Sequence, residues 1–369
     1  MTELHYYDSS TQETYPFYTR QWRGASGAPL ELAGLPPFDP GLIRQDVWSL
    51  WRYRALLALP DGAEPVSLGE GMTPLVPLTV DGRTLHFKLE FMAPTGSYKD
   101  RGVTTLITGL KAIGVREVLE DSSGNAGVAV AAYAAAGGLK ARIFVPDYAS
   151  PAKKAQVRVY GAELVEVPGG RAATTEAAIK AAETSVYASH AWHPLFTIGL
   201  RTAAWEIWEA LGRRAPDAVV MPSGQGGLLL GLFDGFMDLK SVGLIDRLPK
   251  LYAVQAAAVA PLYASWRAGA HDVAAVPEGR SLAEGVLIRQ PVRGAALLNA
   301  VRQSEGGVAI AGEEAIQQAR ADLARHGLFV EPTSALALAG LRGLGDEIPA
   351  DALVVLPLTG SGLKAPPTA

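Results

Sequence analysis

One pattern recurs along the chain and leaves few folds open. A short apolar or apolar-charged run meets a turn of glycine and hydroxyl residues, and an apolar stretch long enough for a helix follows. Arg116 to Asp121 leads into Ser122-Ser123-Gly124-Asn125-Ala126-Gly127, and Val128 to Ala136 is then almost all alanine, valine and tyrosine, closed by Gly137-Gly138. Asp217 to Met221 leads into Pro222-Ser223-Gly224-Gln225-Gly226-Gly227 and the helical stretch Leu228 to Leu239. Apolar runs of this length suit strands buried on both faces, and parallel strands need a helix to connect them. The chain therefore reads as α/β, with parallel-rich sheets covered by helices. Further strands are predicted over Leu85 to Glu90, Arg142 to Val145, Ala162 to Val167, Leu251 to Gln255 and Ala352 to Leu356. Helices are predicted over Asp46 to Leu57 and, opening with proline at N1, over Pro151 to Tyr160.

The turns carry the chemistry. Backbone N–H groups left over at a helix start point outward and attract an anion. The plainer reading of the Ser122 turn is an N-cap that only satisfies the helix. At the second turn, glycines at 224, 226 and 227 let the backbone close on a phosphate. No lysine follows at the spacing of a nucleoside-triphosphate loop. A dinucleotide fingerprint fits poorly, because Leu229 stands at the third glycine position. A further turn, Thr359-Gly360-Ser361-Gly362, follows the strand Leu353 to Leu358, and ligands of open α/β sheets gather at such strand ends. Pro94-Thr95-Gly96-Ser97-Tyr98-Lys99-Asp100-Arg101-Gly102 puts a lysine in the first turn of a helix whose apolar face is Val103, Leu106, Ile107, Leu110 and Ile113. A cation is locally unfavourable at the positive end of a helix dipole. A covalent imine with an aldehyde removes that conflict; a solvated lysine partnered by Asp100 is the alternative.

In order and wording these segments resemble the pyridoxal-phosphate enzymes of fold type II, and most closely the threonine synthases. The resemblance covers nearly the whole chain and includes Ser67-Leu68-Gly69-Glu70-Gly71 with Thr73-Pro74-Leu75, the Lys99 segment, the Ser-Gly-Asn turn, Glu331-Pro332-Thr333-Ser334-Ala335 and Thr359-Gly360-Ser361-Gly362-Leu363-Lys364. It implies pyridoxal 5'-phosphate as cofactor, with Lys99 as catalytic residue and Schiff-base lysine. It implies that Asn125 bonds the cofactor's phenolic oxygen, that Gly224, Gln225, Gly226 and Gly227 hold its phosphate, and that Thr359 faces its ring nitrogen. Backbone around Ser122, Ser123, Gly124, Asn125 and Ala126 would bind the substrate carboxylate. The implied architecture is two-lobed: an N-terminal extension over 1–59, a large cofactor-binding domain over 60–95 and 196–369, and a small mobile domain over 96–195, with the cofactor between the lobes. A homodimer is implied as well.

The chain departs from that family in four places. Gln21 to Leu32 looks like a zinc-ribbon segment, yet the chain has no cysteine, so no structural metal is expected. In the segment expected to recognise substrate phosphate, His193 replaces an asparagine and Phe196 an arginine. An aromatic ring cannot grip phosphate bidentately; His190, His193 and Arg201 are left as substitutes. Ser361 stands where the family usually shows histidine, and Ser281-Leu282-Ala283-Glu284-Gly285-Val286 is closer to the wording of serine and threonine dehydratases.

Three functions stay open on these grounds. One is a lyase making threonine from O-phospho-L-homoserine. A second is a dehydratase-like or β-replacing enzyme on another small amino acid. The third is a non-catalytic descendant that binds the cofactor, or only a partner. A formal net charge of −4 over 369 residues argues against nucleic acid or an acidic membrane as partner. No apolar run reaches the length of a membrane span. The start, Met1-Thr2-Glu3-Leu4-His5, lacks a signal region, so the cytoplasm is expected. Residues 1–35 are rich in aromatics, with Tyr6, Tyr7, Tyr15, Phe17, Tyr18 and Trp22, which predicts that this extension packs on a lobe or a partner.

Overall fold

Each predicted strand–turn–helix unit forms. The computed structural model describes residues 4–149 and 151–365, so the first three residues of the start read above lie outside the described residues. By contacts the chain divides into two units, residues 1–71 with 99–199 and residues 72–98 with 200–369.

The first unit is built on a four-stranded, wholly parallel sheet in the order Glu163–Val167, Lys140–Pro146, Glu117–Glu120, Val186–Tyr187. The helix Asn125–Gly137 follows the strand Glu117–Glu120 and is buried from Ala126 to Ala134. Its uniform apolar character is the reason: a helix without a polar face has to lie in the interior. It stops at Gly138, whose φ of 72° is the left-handed cap that glycine adopts without strain. The N-terminal residues add a three-stranded antiparallel sheet in the order Thr14–Pro16, His5–Asp8, Leu30–Ala33. Buried Asp8 gathers the turns of this sheet. It accepts from the Ser10 hydroxyl at 2.6 Å and from the Ser26 hydroxyl, and a Cβ on Gly24 would collide with its carboxylate. The predicted packing of the extension is observed. Trp22 lies edge-on to Tyr187 and Trp192, with ring centroids 4.9 and 5.1 Å apart, inside a cluster with Leu119, Phe144 and Ala178.

The second unit holds a six-stranded sheet in the order Gly307–Ala311, Lys250–Ala256, Ala218–Pro222, Val354–Pro357, Arg83–Lys88, Leu75–Val80. All neighbours are parallel except the last pair, which is antiparallel. Leu75–Val80 was not predicted because Pro77 interrupts it; the strand tolerates proline because it is the sheet edge. The core packs Val220, Val254, Leu356 and Phe87 of the sheet with Leu336 and Leu338 of the helix Pro332–Leu344.

Two local expectations are corrected. Asp46 to Leu57 is not an α-helix but a 3-10 helix over Leu50–Leu56, started by the Ser49 hydroxyl accepting from Trp51 N. Leu50, Trp51, Arg52 and Tyr53 are all buried, which the single apolar face of a surface α-helix cannot provide. The strand predicted to reach Glu90 ends at Lys88, because Glu90 opens a 3-10 turn.

Candidate active site

Lys99 is the first residue of the helix Lys99–Ala112 and is half-buried. Its Nζ lies 5.6 Å from the ring centroid of Phe196, a fully buried residue in the first turn of the helix Pro194–Ala210. An aromatic face attracts a cation, so the amine is seated on the protein, unlike a freely solvated lysine. Two glycines let these helices approach. A Cβ on Gly102 would stand 2.5 Å from the Phe196 ring, and one on Gly199 would stand 1.9 Å from the Arg101 carbonyl oxygen. The Thr105 hydroxyl then donates to Leu195 O at 2.8 Å.

In the same unit the turn Ser122 to Ala126 opens the helix Asn125–Gly137. Gly124 is the N-cap, and no side chain caps the helix. Ser122 Oγ accepts from Gly124 N at 3.2 Å. A Cβ on Gly127 would meet the Ser122 carbonyl oxygen at 2.0 Å, so the turn folds tightly over the helix start only because that residue is glycine. Asp121, just before the turn, is buried and accepts from Tyr187 Oη at 2.7 Å, Thr175 Oγ1 at 2.6 Å and Arg171 Nη2 at 3.1 Å. Those bonds fix the turn while its helix-start amides carry no side-chain cap, which suits an anion.

One neighbour escaped the sequence reading. Glu120, at the end of its strand, lies 2.7 Å from His190 Nδ1, and the His190 backbone N–H donates to its other oxygen at 3.2 Å. Burial pushes the Glu120 carboxyl well above the usual carboxylate range and His190 well below its ordinary value, with the charges of Lys99 and Arg171 lowering His190 further. The partners stand 70 positions apart, so no local pattern could have joined them.

The other two substitutes considered for phosphate recognition are occupied. His193 is buried, its Nδ1 accepts from Leu195 N at 3.3 Å at the start of the helix Pro194–Ala210, and its ring packs edge-on to Tyr6. Arg201 pairs with Asp238 at 2.9 Å and Asp234 at 3.1 Å.

The second unit carries the glycine loop and Thr359. Gly226 caps the helix Gly227–Ser241 at a φ of 76°, again with no side-chain cap. A Cβ on Gly224 would stand 2.8 Å from Gly285 O, in the segment with dehydratase-like wording, and one on Gly226 would overlap Leu297. The Gln225 side chain accepts from Val292 N at 3.1 Å, which leaves its backbone as the part that could serve a ligand. Ser223 Oγ is buried with no hydrogen-bond partner among the described residues. An uncapped helix start and an orphaned buried hydroxyl, on a loop that only glycine lets pack this closely, together fit a phosphate.

Thr359 is buried, with Oγ1 at 3.0 Å from Ser334 Oγ. Ser334 also accepts from Gly360 N at 2.8 Å. Its place in the Glu331-Pro332-Thr333-Ser334-Ala335 motif was the available signal that it lies beside Thr359. The backbone before the lysine is tied to this loop: Tyr98 N donates to Thr359 O at 3.0 Å, and Ser361 N to Gly96 O at 3.0 Å.

Residues 66–360 match the family model described as pyridoxal-phosphate dependent enzyme. The threonine synthase of Methanocaldococcus jannaschii is 34% identical over 337 residues, covering 89% of this chain and 83% of its own. That of Mycobacterium tuberculosis is 36% identical over 327 residues, covering 86% and 88%. Among solved structures, a threonine deaminase from T.th. superposes with a TM-score of 0.67 at 30% identity, over 78% of this chain and 92% of that one. A maize serine racemase, at 24% identity and a TM-score of 0.69 over 79% and 88%, shows the shared fold. Among the described residues no helix is long and apolar enough to cross a membrane. The chain thus belongs to the pyridoxal-phosphate-dependent enzyme family, as a fold type II lyase of the threonine synthase type.

Proposed function

We propose that this enzyme converts O-phospho-L-homoserine and water to L-threonine and phosphate. The observation that carries the reading is the likeness to threonine synthases, 34–36% identity over 86–89% of the chain. Pyridoxal phosphate, when bound, supplies an aldehyde for the substrate amine and an electron sink for the bonds at Cα. Lys99 would hold the aldehyde. The amides of Gly224 to Gly227 and the Ser223 hydroxyl would hold the phosphate. Asn125 would serve the phenolic oxygen, and Thr359, steadied by Ser334, the ring nitrogen. A hydroxyl cannot hold a full positive charge on that nitrogen as a carboxylate can, which suits elimination and replacement at the β or γ carbon. The helix start at Ser122, Ser123, Gly124, Asn125 and Ala126 would orient the substrate carboxylate. When its amine is free, Lys99 would serve as the base for the substrate's α-proton. A homodimer and a cytoplasmic setting belong to the same reading.

A second reading has specific support. Phe196 stands where a phosphate-binding arginine is expected, and His193 and Arg201 are committed elsewhere. These features favour a dehydratase-like or β-replacing lyase on a substrate without phosphate. Spectral titration of the loaded protein with L-serine, L-threonine and O-phospho-L-homoserine, with phosphate and ammonia assayed, separates the two. Phosphate release from O-phospho-L-homoserine is expected. Ammonia from serine or threonine without phosphate release would replace the first reading by the second, and no spectral response to any of the three would end both.

A further inference from the structure

Glu120 and His190 form a buried acid–imidazole pair that the scheme above leaves without a task. Their side chains are 0% and 9% exposed. The bond from Glu120 Oε1 to Nδ1 and the His190 backbone N–H on Oε2 hold the imidazole at two points. Anchoring Nδ1 turns Nε2 away from the carboxyl, and Nε2 has no hydrogen-bond partner among the described residues. The ring packs edge-on to Phe196 at 6.0 Å between centroids, on the same aromatic ring that seats Lys99 Nζ. Glu120 also directly precedes the segment Asp121 to Asn125. The charged groups acting on the pair are Lys99, Arg171 and Asp121. Burial disfavours charge on either partner. Burial therefore favours a carboxyl donating to Nδ1 and a neutral ring with its proton on Nε2.

We infer that His190 is the proton donor to the oxygen that leaves the substrate's side chain, with Glu120 as its positioning residue. The inference rests on the lyase reading and deepens it by naming the leaving group as oxygen. As the C–O bond breaks, its electron pair stays on the departing oxygen, which takes the Nε2 proton. Nδ1 takes the Glu120 proton, leaving a carboxylate hydrogen-bonded to a neutral ring, and a solvent proton then restores the pair. Hydroxide departs poorly without such a donor, whereas phosphate leaves as a stable anion. The contribution is therefore larger for a hydroxyl leaving group.

The test uses the loaded enzyme and its His190→Gln and Glu120→Gln variants with L-threonine and O-phospho-L-homoserine. Three readouts are followed: the absorbance of lysine-bound cofactor, exchange of Cα–H into D2O, and release of ammonia or phosphate. His190→Gln is expected to keep the absorbance and Cα exchange within about twofold but to lose about 100-fold in product release, with the alkaline limb of the kcat profile abolished. That limb reflects a protonated donor, so wild-type activity falls as pH rises through the pair's titration. Glu120→Gln is expected to lose about 10-fold and to move the limb, because the ring keeps its nitrogen but not its proton reservoir. Product release within about threefold of wild type, or exchange and release falling in equal proportion, would overturn the inference. A second readout needs neither turnover nor a variant. Nitrogen-15 spectra of the protein without cofactor should show His190 neutral and protonated on Nε2 through the range where an ordinary imidazole titrates, and titration near the ordinary value of about 6.5 would overturn it. A wild-type protein that takes up no pyridoxal phosphate and exchanges no Cα–H would sink the lyase reading itself, a result distinct from either variant's.

Discussion

The Ser122 and Ser223 turns share one plan, a strand's end, a small-residue turn and an uncapped helix, yet they are framed by different chemistry. Around Ser122 the frame is ionisable: Asp121 with Tyr187, Thr175 and Arg171, and Glu120 with His190. Around Ser223 the contacts described are with neutral groups: the amide of Gln255 on Ser223 O at 3.3 Å, Val292 N on Gln225, and the close passage of Gly285 and Leu297. A phosphate that stays bound through every turnover needs fixed dipoles whose strength does not change with pH. Groups that meet the reacting part of an amino acid need protons that can move. The difference in frame is what the proposed roles require, a turn that holds the cofactor phosphate and a turn that meets the substrate.

Several substitutions bear on that contrast. Lys99→Ala should abolish both turnover and the absorbance of lysine-bound cofactor; full colour with retained turnover would move the covalent role to another lysine. Gly127→Ala and Gly226→Ala attack the two turns by the same route. Each should cost about 1–3 kcal/mol in urea unfolding through overpacking. Gly226→Ala adds about 1–2 kcal/mol for left-handed backbone, and it should also weaken cofactor uptake. Equal cofactor affinity in wild type and Gly226→Ala would remove that loop from the phosphate site. Asp121→Asn should destabilise by about 1–3 kcal/mol, because a buried acceptor of three donors loses its charge. At the Ser223 turn the corresponding side chain is Gln225, and Gln225→Ala is expected to cost about 1 kcal/mol. A larger loss from Gln225→Ala than from Asp121→Asn would erase the distinction. Thr359→Val should leave the fold intact, lose about 1 kcal/mol of hydrogen bonding with Ser334 and shift the cofactor spectrum; an unchanged spectrum and rate would take Thr359 out of the site.

The N-terminal sheet supplies a pH test outside the site. The Ser10 and Ser26 hydroxyls hold the Asp8 carboxyl down to about 2 from an ordinary 3.8. A depressed carboxyl stabilises the fold above its unfolded value and ceases to do so as pH falls through the folded one. Amide protection in the strands His5–Asp8 and Leu30–Ala33 should therefore drop between pH 3.8 and 2. Undiminished protection at pH 2 would show that Asp8 is not what ties this sheet.

The legible parts of the molecule were those whose cause is local. The helix from Lys99, the helix from Asn125 with its Gly138 stop and the loop at Gly224 to Gly227 follow from residue spacing, because backbone sterics and periodic burial act over a few residues. The Leu75–Val80 strand was hidden by Pro77, since whether a proline is tolerated depends on whether the strand lies at an edge. The 3-10 form of Leu50–Leu56 was hidden because burial around four consecutive side chains is a property of the neighbours.

From residue order alone came the α/β class, the lysine at a helix start and the glycine turns that follow two strands. Each of these rests on interactions between residues a few positions apart. Folding in three dimensions added the seat of Lys99 on Phe196, the grip of Ser334 on Thr359 and the pairing of Glu120 with His190. Hydrogen bonds and burial act through space, and the burial that shifts a proton between a carboxyl and a ring exists only after distant segments have closed around both.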